Sequence, residues 1–176
     1  MILRKINAVV SLLVTTMLLD HAIFHGAWML SKGTVPKSAN SMPWILFILM
    51  LLHAVISIVL AFLGHKGAQK GKFNGYGNLN IATYIQRASG VLLIVLTILH
   101  IAGTAGPLNP PKVVHAILPP AFFAIALMHT AISGSKAFIT LGIGNARVIE
   151  FVDTAIKTIC LVTWIVDVVG FYLYLV

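Results

Sequence analysis

Four histidines stand inside long apolar stretches of this chain: His21, His53, His100 and His129. Three more complete the set, His25 one helical turn after His21, and His65 and His115 near the ends of apolar runs. An imidazole exchanges protons near neutral pH and offers a ring-nitrogen lone pair to a metal. An ionisable side chain within an apolar span is costly to place, so it normally faces the interior of a helix bundle and serves a function. A single such histidine is more often a hydrogen-bonded packing residue. The question is whether these four are placed relative to one another.

The elements that carry them are long and apolar. Mean hydropathy is +0.99 and only 9% of residues are charged, against about 25% in soluble domains. A helix needs roughly 20 mostly apolar residues to cross hydrocarbon. Five segments meet that requirement: about 6–30, 43–63, 81–103, 119–139 and 148–176. This predicts an all-α membrane protein of one domain, a five-transmembrane-helix bundle. The first segment follows Arg4 and Lys5 like a secretory signal, but it is longer than one and lacks a small-x-small cleavage site, so a retained helix is expected. Turn chemistry separates the spans: Ser31-Lys-Gly-Thr-Val-Pro-Lys37, Gly71-Lys-Phe-Asn-Gly-Tyr-Gly77, Gly106-Pro-Leu-Asn-Pro-Pro111 and Gly142-Ile-Gly-Asn145. The Gly71–Gly77 stretch follows no strand and makes a poor phosphate loop, and no internal repeat is visible. His65 and His115 are expected in loops.

The net charge of +8 comes from residues flanking apolar segments, which points to topology and away from nucleic acid. With the N-terminus inside, Arg4, Lys5, Lys66, Lys70, Lys72, Arg87, Lys136, Arg147 and Lys157 fall on the cytoplasmic side, and only Lys32, Lys37 and Lys112 on the other. The positive-inside bias therefore predicts a cytoplasmic N-terminus and an outside C-terminus. Cys160 is the single cysteine, which leaves no disulfide framework and no cysteine-based cluster site.

Depth then sorts the histidines. At about 1.5 Å of rise per residue, His21 lies about 22 Å and His100 about 28 Å from the cytoplasmic helix ends. His53 and His129 each lie about 15 Å from that side. The four form two roughly level pairs, each drawn from two helices. That is the arrangement two bis-histidine haems b require, since imidazole is a standard axial ligand of haem iron and bundle cores house such cofactors. Small residues share the histidine faces, Ser57 and Ala61 with His53, Ala126 and Ser133 with His129, and Thr97, Gly103 and Thr104 with His100. Ile125 is a bulky exception. Depth does not choose between His21 and His25.

The local contexts resemble a known family. Leu18-Leu-Asp-His-Ala-Ile-Phe-His25 resembles the first-helix histidine motif of the dihaem cytochrome b membrane-anchor subunits of succinate:quinone oxidoreductases, the succinate dehydrogenases and fumarate reductases. Leu52-His-Ala-Val-Ile-Ser-Ile58 resembles their second-helix motif. Gln86-Arg-Ala-Ser-Gly90 with Ile98-Leu-His100 resembles their third-helix signature and ligand, and Ala126-Leu-Met-His-Thr-Ala-Ile-Ser-Gly134 the fourth. The likeness spans nearly the whole chain, and its specific parts are the Gln-Arg-x-Ser-Gly element and the order of histidines. It implies that His53 and His129 hold a proximal haem iron and His21 and His100 a distal one, the first histidine of the His21/His25 pair being the ligand. It further implies an iron–sulfur subunit and a flavoprotein subunit as partners on the cytoplasmic side of a bacterial inner membrane. The chain itself has no flavin, dicarboxylate or iron–sulfur motif, so the succinate chemistry would belong to those partners. Two features depart from the family: the loops are short, and no glutamate stands beside His129 for transmembrane proton movement.

In that frame Arg87, near the cytoplasmic end of the third helix, is a candidate for bidentate pairing with a haem propionate. Lys136, two turns from His129, is a second candidate, and Gln86 and Ser89 are polar neighbours of the propionates or of a quinone. Snorkelling to the interface is the plain alternative for both cations. Of the four carboxylates, Glu150 and Asp153 open the fifth helix, with Lys157 four residues after Asp153 for an ion pair. Asp20 and Asp167 lie within spans, about 21 Å and about 28 Å from the cytoplasmic side. A quinone exchanging two electrons also exchanges two protons and needs titratable groups at its site. Asp20, His25 and Asp167 are therefore candidates for a menaquinone-type quinone site near the outer face; hydrogen bonding to haem or backbone is the alternative. Competing functions are a haem b anchor of another respiratory dehydrogenase and a haem-free transporter or structural protein.

Overall fold

The computed structural model describes residues 2–31, 42–69, 81–104 and 112–175, with the side chains of residues 42, 64–69, 104, 112–117, 174 and 175 outside the description. Apolar runs broken by turn residues fold here as five α-helices: α1 (Ile2–Leu30), α2 (Met42–Gln69), α3 (Ile81–Thr104), α4 (Lys112–Leu141) and α5 (Ala146–Leu175). Each is long and apolar enough to cross a membrane. The reason is general: a helix satisfies its own backbone donors and acceptors, which hydrocarbon cannot do.

Several bounds differ from expectation. α1 starts at Ile2 and takes in Arg4 and Lys5, and α2 runs on to Gln69. A hydropathy window ends where apolar side chains end, whereas helical hydrogen bonding continues through Lys, Gln and Ala. His65 therefore belongs to α2, not to a loop. α4 begins at Lys112, so Pro119 and Pro120 lie inside the helix and His115 falls before them in the same helix. Pro119 had suggested a helix start because proline suits a first turn. Its missing N–H and its ring remove bonds to the preceding turn, a loss that surrounding helices can offset in a membrane-type bundle. Of the four connections, Gly142–Asn145 is the one within the described residues. Gly142 adopts φ 105°, its N–H bonds the Ile139 carbonyl and the Ile143 N–H bonds the Phe138 carbonyl, each at 3.1 Å. This is a Schellman ending for α4. Asn145 then caps α5, its Oδ1 accepting from the N–H of Arg147 at 3.0 Å and of Val148 at 3.3 Å.

α1 and α4 form the centre. They pack on each other; α1 also packs on α2, α4 also packs on α3, and α5 lies across both. α2 and α3 make no extended contact with each other among the described residues. The core joins Leu18 and Ala22 of α1, Leu46 of α2, Leu93 of α3, and Phe122, Phe123 and Ala126 of α4. The outward faces are apolar, with Trp44, Val91, Ile98 and Phe151 among the exposed side chains. Polar residues work between helices: Asn7 of α1 pairs with Ser57 of α2 at 3.3 Å, and Ser135 of α4 donates to Asp153 of α5 at 2.8 Å. Asp153 also pairs with Lys157, as their spacing suggested.

Glycines set how closely α5 approaches. A Cβ on Gly170 would stand 3.1 Å from the Gly26 carbonyl oxygen and 3.3 Å from Leu30 Cγ, whereas one on Gly134 would stand 2.7 Å from Ile156 Cδ1. The first obstacle is backbone; the second is the tip of a flexible side chain. Gly170→Ala is expected to lower stability by about 1–3 kcal/mol through overpacking, and Gly134→Ala by less, because Ile156 can turn aside. Denaturant titration of the two variants in micelles checks the order.

Candidate functional site

Each of the four span histidines is half-buried on its helix, and the tertiary arrangement joins them across helices. His129 of α4 lies within electrostatic reach of His53 of α2. His100 of α3 lies within reach of His21 and of His25 on α1. The depth argument had outlined His53/His129 and His21/His100; His25 stands beside His21 and His100 as well.

His129 sits against α3. Its Nδ1 lies 2.9 Å from Ser89 Oγ, and the Ser89 hydroxyl bonds the Gln86 carbonyl at 3.1 Å. A Cβ on Gly90 would come within 3.3 Å of His129 Cε1, so the ring rests where a side chain is missing. The Ser133 hydroxyl donates to the His129 carbonyl at 2.7 Å. Lys136 Nζ donates to Gln86 Oε1 at 2.6 Å, which brings Gln86, Ser89, His129 and Lys136 to one place between α3 and α4. Ser89, 4% exposed, thus faces the imidazole and not the helix end. Arg87 is exposed on α3 and is not part of this contact set. Across the bundle, the buried His53 Nδ1 has no hydrogen-bond partner, and Ser57, from the same helix face, is bonded to α1.

The second grouping is built around two phenylalanines. Phe123, 1% exposed, contacts the rings of His21 at 6.2 Å, His25 at 5.5 Å and His100 at 6.4 Å between centroids. Phe122 stacks on His100 at 5.0 Å with planes 9° apart. Thr97, one turn before His100, is buried, and its hydroxyl has no hydrogen-bond partner. Nothing in the spacing of Phe122 and Phe123 marked them; only the approach of α1 and α3 to α4 gives them this place.

Of the outer candidates, the fold unites two. Asp167 Oδ1 of α5 lies 3.6 Å from His25 Nδ1, longer than a hydrogen bond, and neither carboxylate oxygen has a hydrogen-bond partner. Met29, Pro119, Pro120, Phe123 and Phe171 pack around them and leave no space large enough for a water molecule. Asp167 is 2% exposed, held close by the Gly26 face of α1. Asp20 is half-buried and is not joined to this pair; it is five residues from His25, about 140° around the helix, and it acts electrostatically on its neighbour His21.

Among the described residues no group of three or more histidine, cysteine, aspartate or glutamate side chains could hold a metal, whereas an iron already held by a porphyrin asks the protein for two axial ligands. No family model, curated protein or solved structure matches the chain.

Replacing Phe123 by Ala would remove the shared wall of three histidines. The expected loss is about 3–5 kcal/mol of stability, with Phe123→Leu much milder. Comparative denaturation checks the size, and histidine ring NMR shifts should change at His21, His25 and His100 but not at His53.

Proposed function

We propose that this chain is a dihaem cytochrome b membrane anchor that passes electrons between an iron–sulfur subunit on the cytoplasmic side and a menaquinone-type quinone. The observation that carries this reading is the meeting of His21, His25 and His100 from α1 and α3 around Phe122 and Phe123 of α4, beside α2 and α3 helices that do not close on each other among the described residues. The resemblance of the Gln86–Gly90 segment and of the histidine contexts to succinate:quinone oxidoreductase anchors supports the same function, with an N-terminus inside and a bacterial inner-membrane location.

In this reading His53 and His129 would hold the haem nearer the cytoplasm, and His21 and His100 the one nearer the outer face. Bound haem would supply one-electron exchange. The chain's own residues do the rest. Lys136, held by Gln86, offers a cation to a propionate carboxylate, as does Arg87 from the exposed side of α3. The Phe122 and Phe123 rings keep water from the outer histidines. The His25–Asp167 pair holds a proton at the His25 ring or the Asp167 carboxyl, where a quinone oxygen must receive or release one. Asp20 keeps a lesser role, biasing His21 electrostatically.

The purified full chain should show a b-type α-band in its reduced-minus-oxidised spectrum and two haems by pyridine haemochrome. His53→Ala and His129→Ala should each abolish the same haem, and His21→Ala and His100→Ala the other. Absence of an α-band would overturn the reading in favour of a haem-free transporter or structural protein. Co-purification with a hydrogenase or formate dehydrogenase would reassign the partner. Separately, His25→Ala and Asp167→Asn should slow quinol oxidation at least tenfold while leaving both haem spectra intact; unchanged turnover in both removes the quinone site.

A further inference from the structure

We infer that Ser89 and Gly90 form a seat for the His129 ring which keeps its proton on Nδ1 and leaves Nε2 as a free lone-pair donor, so that Ser89 is a positioning residue for any metal centre His129 serves. The haem-directed consequences rest on the proposed function; the tautomer does not.

The argument turns on one hydrogen. A serine hydroxyl has a single proton to donate and two lone pairs to accept with. Ser89 lies 3.1 Å from the Gln86 carbonyl and 2.9 Å from His129 Nδ1. The carbonyl can only accept, so the hydroxyl proton belongs there. With the hydroxyl proton on that carbonyl, Oγ accepts from Nδ1, and the ring proton stands on Nδ1. The opposite arrangement, with the hydroxyl donating to Nδ1, would put the proton on Nε2 and block it as a ligand. Gln86 is fixed in turn, since its side-chain oxygen accepts from Lys136. Gly90 supplies the space: its Cα side approaches His129 Cε1 so closely that an added Cβ would stand at 3.3 Å. Anchor, acceptor and gap fall at Gln86, Ser89 and Gly90, on consecutive turns of one α3 face.

The opposite histidine has no such seat. His53 Nδ1 is buried without a hydrogen-bond partner. The two sides of the pair are therefore chemically unequal: an imidazole that donates its outer N–H to oxygen is the more basic ligand and is held in one orientation. Losing Ser89 should make His129 resemble His53.

The test uses the full chain in detergent as wild type, Ser89→Ala, Ser89→Thr and Gly90→Ala, first 15N-labelled at histidine and prepared without haem. His129 should carry its proton on Nδ1 in wild type and Ser89→Thr, and on Nε2 in Ser89→Ala. With hemin added, Ser89→Ala should weaken one of two binding events about 10- to 100-fold and raise the midpoint potential of that haem alone, with Ser89→Thr restoring both. Gly90→Ala should alter the spectrum of the same haem and spare the other. A wild-type His129 protonated on Nε2 overturns the inference, as does a Ser89→Ala chain with unchanged tautomer and potentials. Should Ser89→Ala not fold, the wild-type tautomer and Gly90→Ala decide alone. A tautomer change in a chain that binds no hemin would uphold the seat while refuting the proposed function.

Discussion

A polar group cut off from water has no solvent to bond, and leaving it unsatisfied costs several kcal/mol. That constraint organises this chain at two levels. The backbone answers it alone by forming five helices. The side chains cannot, so Asn7, Ser57, Ser89, His129, Ser135 and Asp153 are matched between helices. These few polar contacts tie α1 to α2, α3 to α4 and α4 to α5 among apolar side chains.

Packing supplies the other part. Among the described residues α1 and α4 each touch three other helices extensively, and they do so with different means. α1 reaches α5 through Gly26 opposite Gly170, which lets backbones approach. α4 reaches α1 and α3 through Phe122 and Phe123, whose rings fill the space between histidines. A small-residue contact at one interface and an aromatic wedge at the other leave α2 and α3 apart.

Among the described residues, buried polar atoms without a hydrogen-bond partner include His25 Nδ1, His53 Nδ1, Thr97 Oγ1 and both oxygens of the Asp167 carboxylate. Unpartnered buried polar groups are rare in native proteins and usually mark a place where something else binds or reacts. Their position, on the histidine-bearing faces and in the His25–Asp167 pair, ties the energetic exceptions to the proposed chemistry. Ser89 and His129 show the same region fully satisfied, so the inner pair is asymmetric by construction.

The five helices were legible in the residues alone, since length and apolarity are additive along the chain and need no neighbour. So was the Gly142–Asn145 turn, whose glycine and asparagine serve local geometry. Helix ends were not, because Pro119 and Pro120 read as a start and the polar end of α2 as a stop. The depth of each histidine followed from helical rise, but its direction did not, and direction decides whether two levels become two sites. Ser89 shows the difference most clearly. The family resemblance made it a polar neighbour of a propionate or of a quinone, whereas the packing of α4 on α3 presents it with an imidazole. Asp20 and Asp167 show it again: similar in type and depth, they part company because only Asp167 lies on the face that α5 turns toward His25. Rise along a helix is a property of the chain, while azimuth and neighbours arise from which helices pack together.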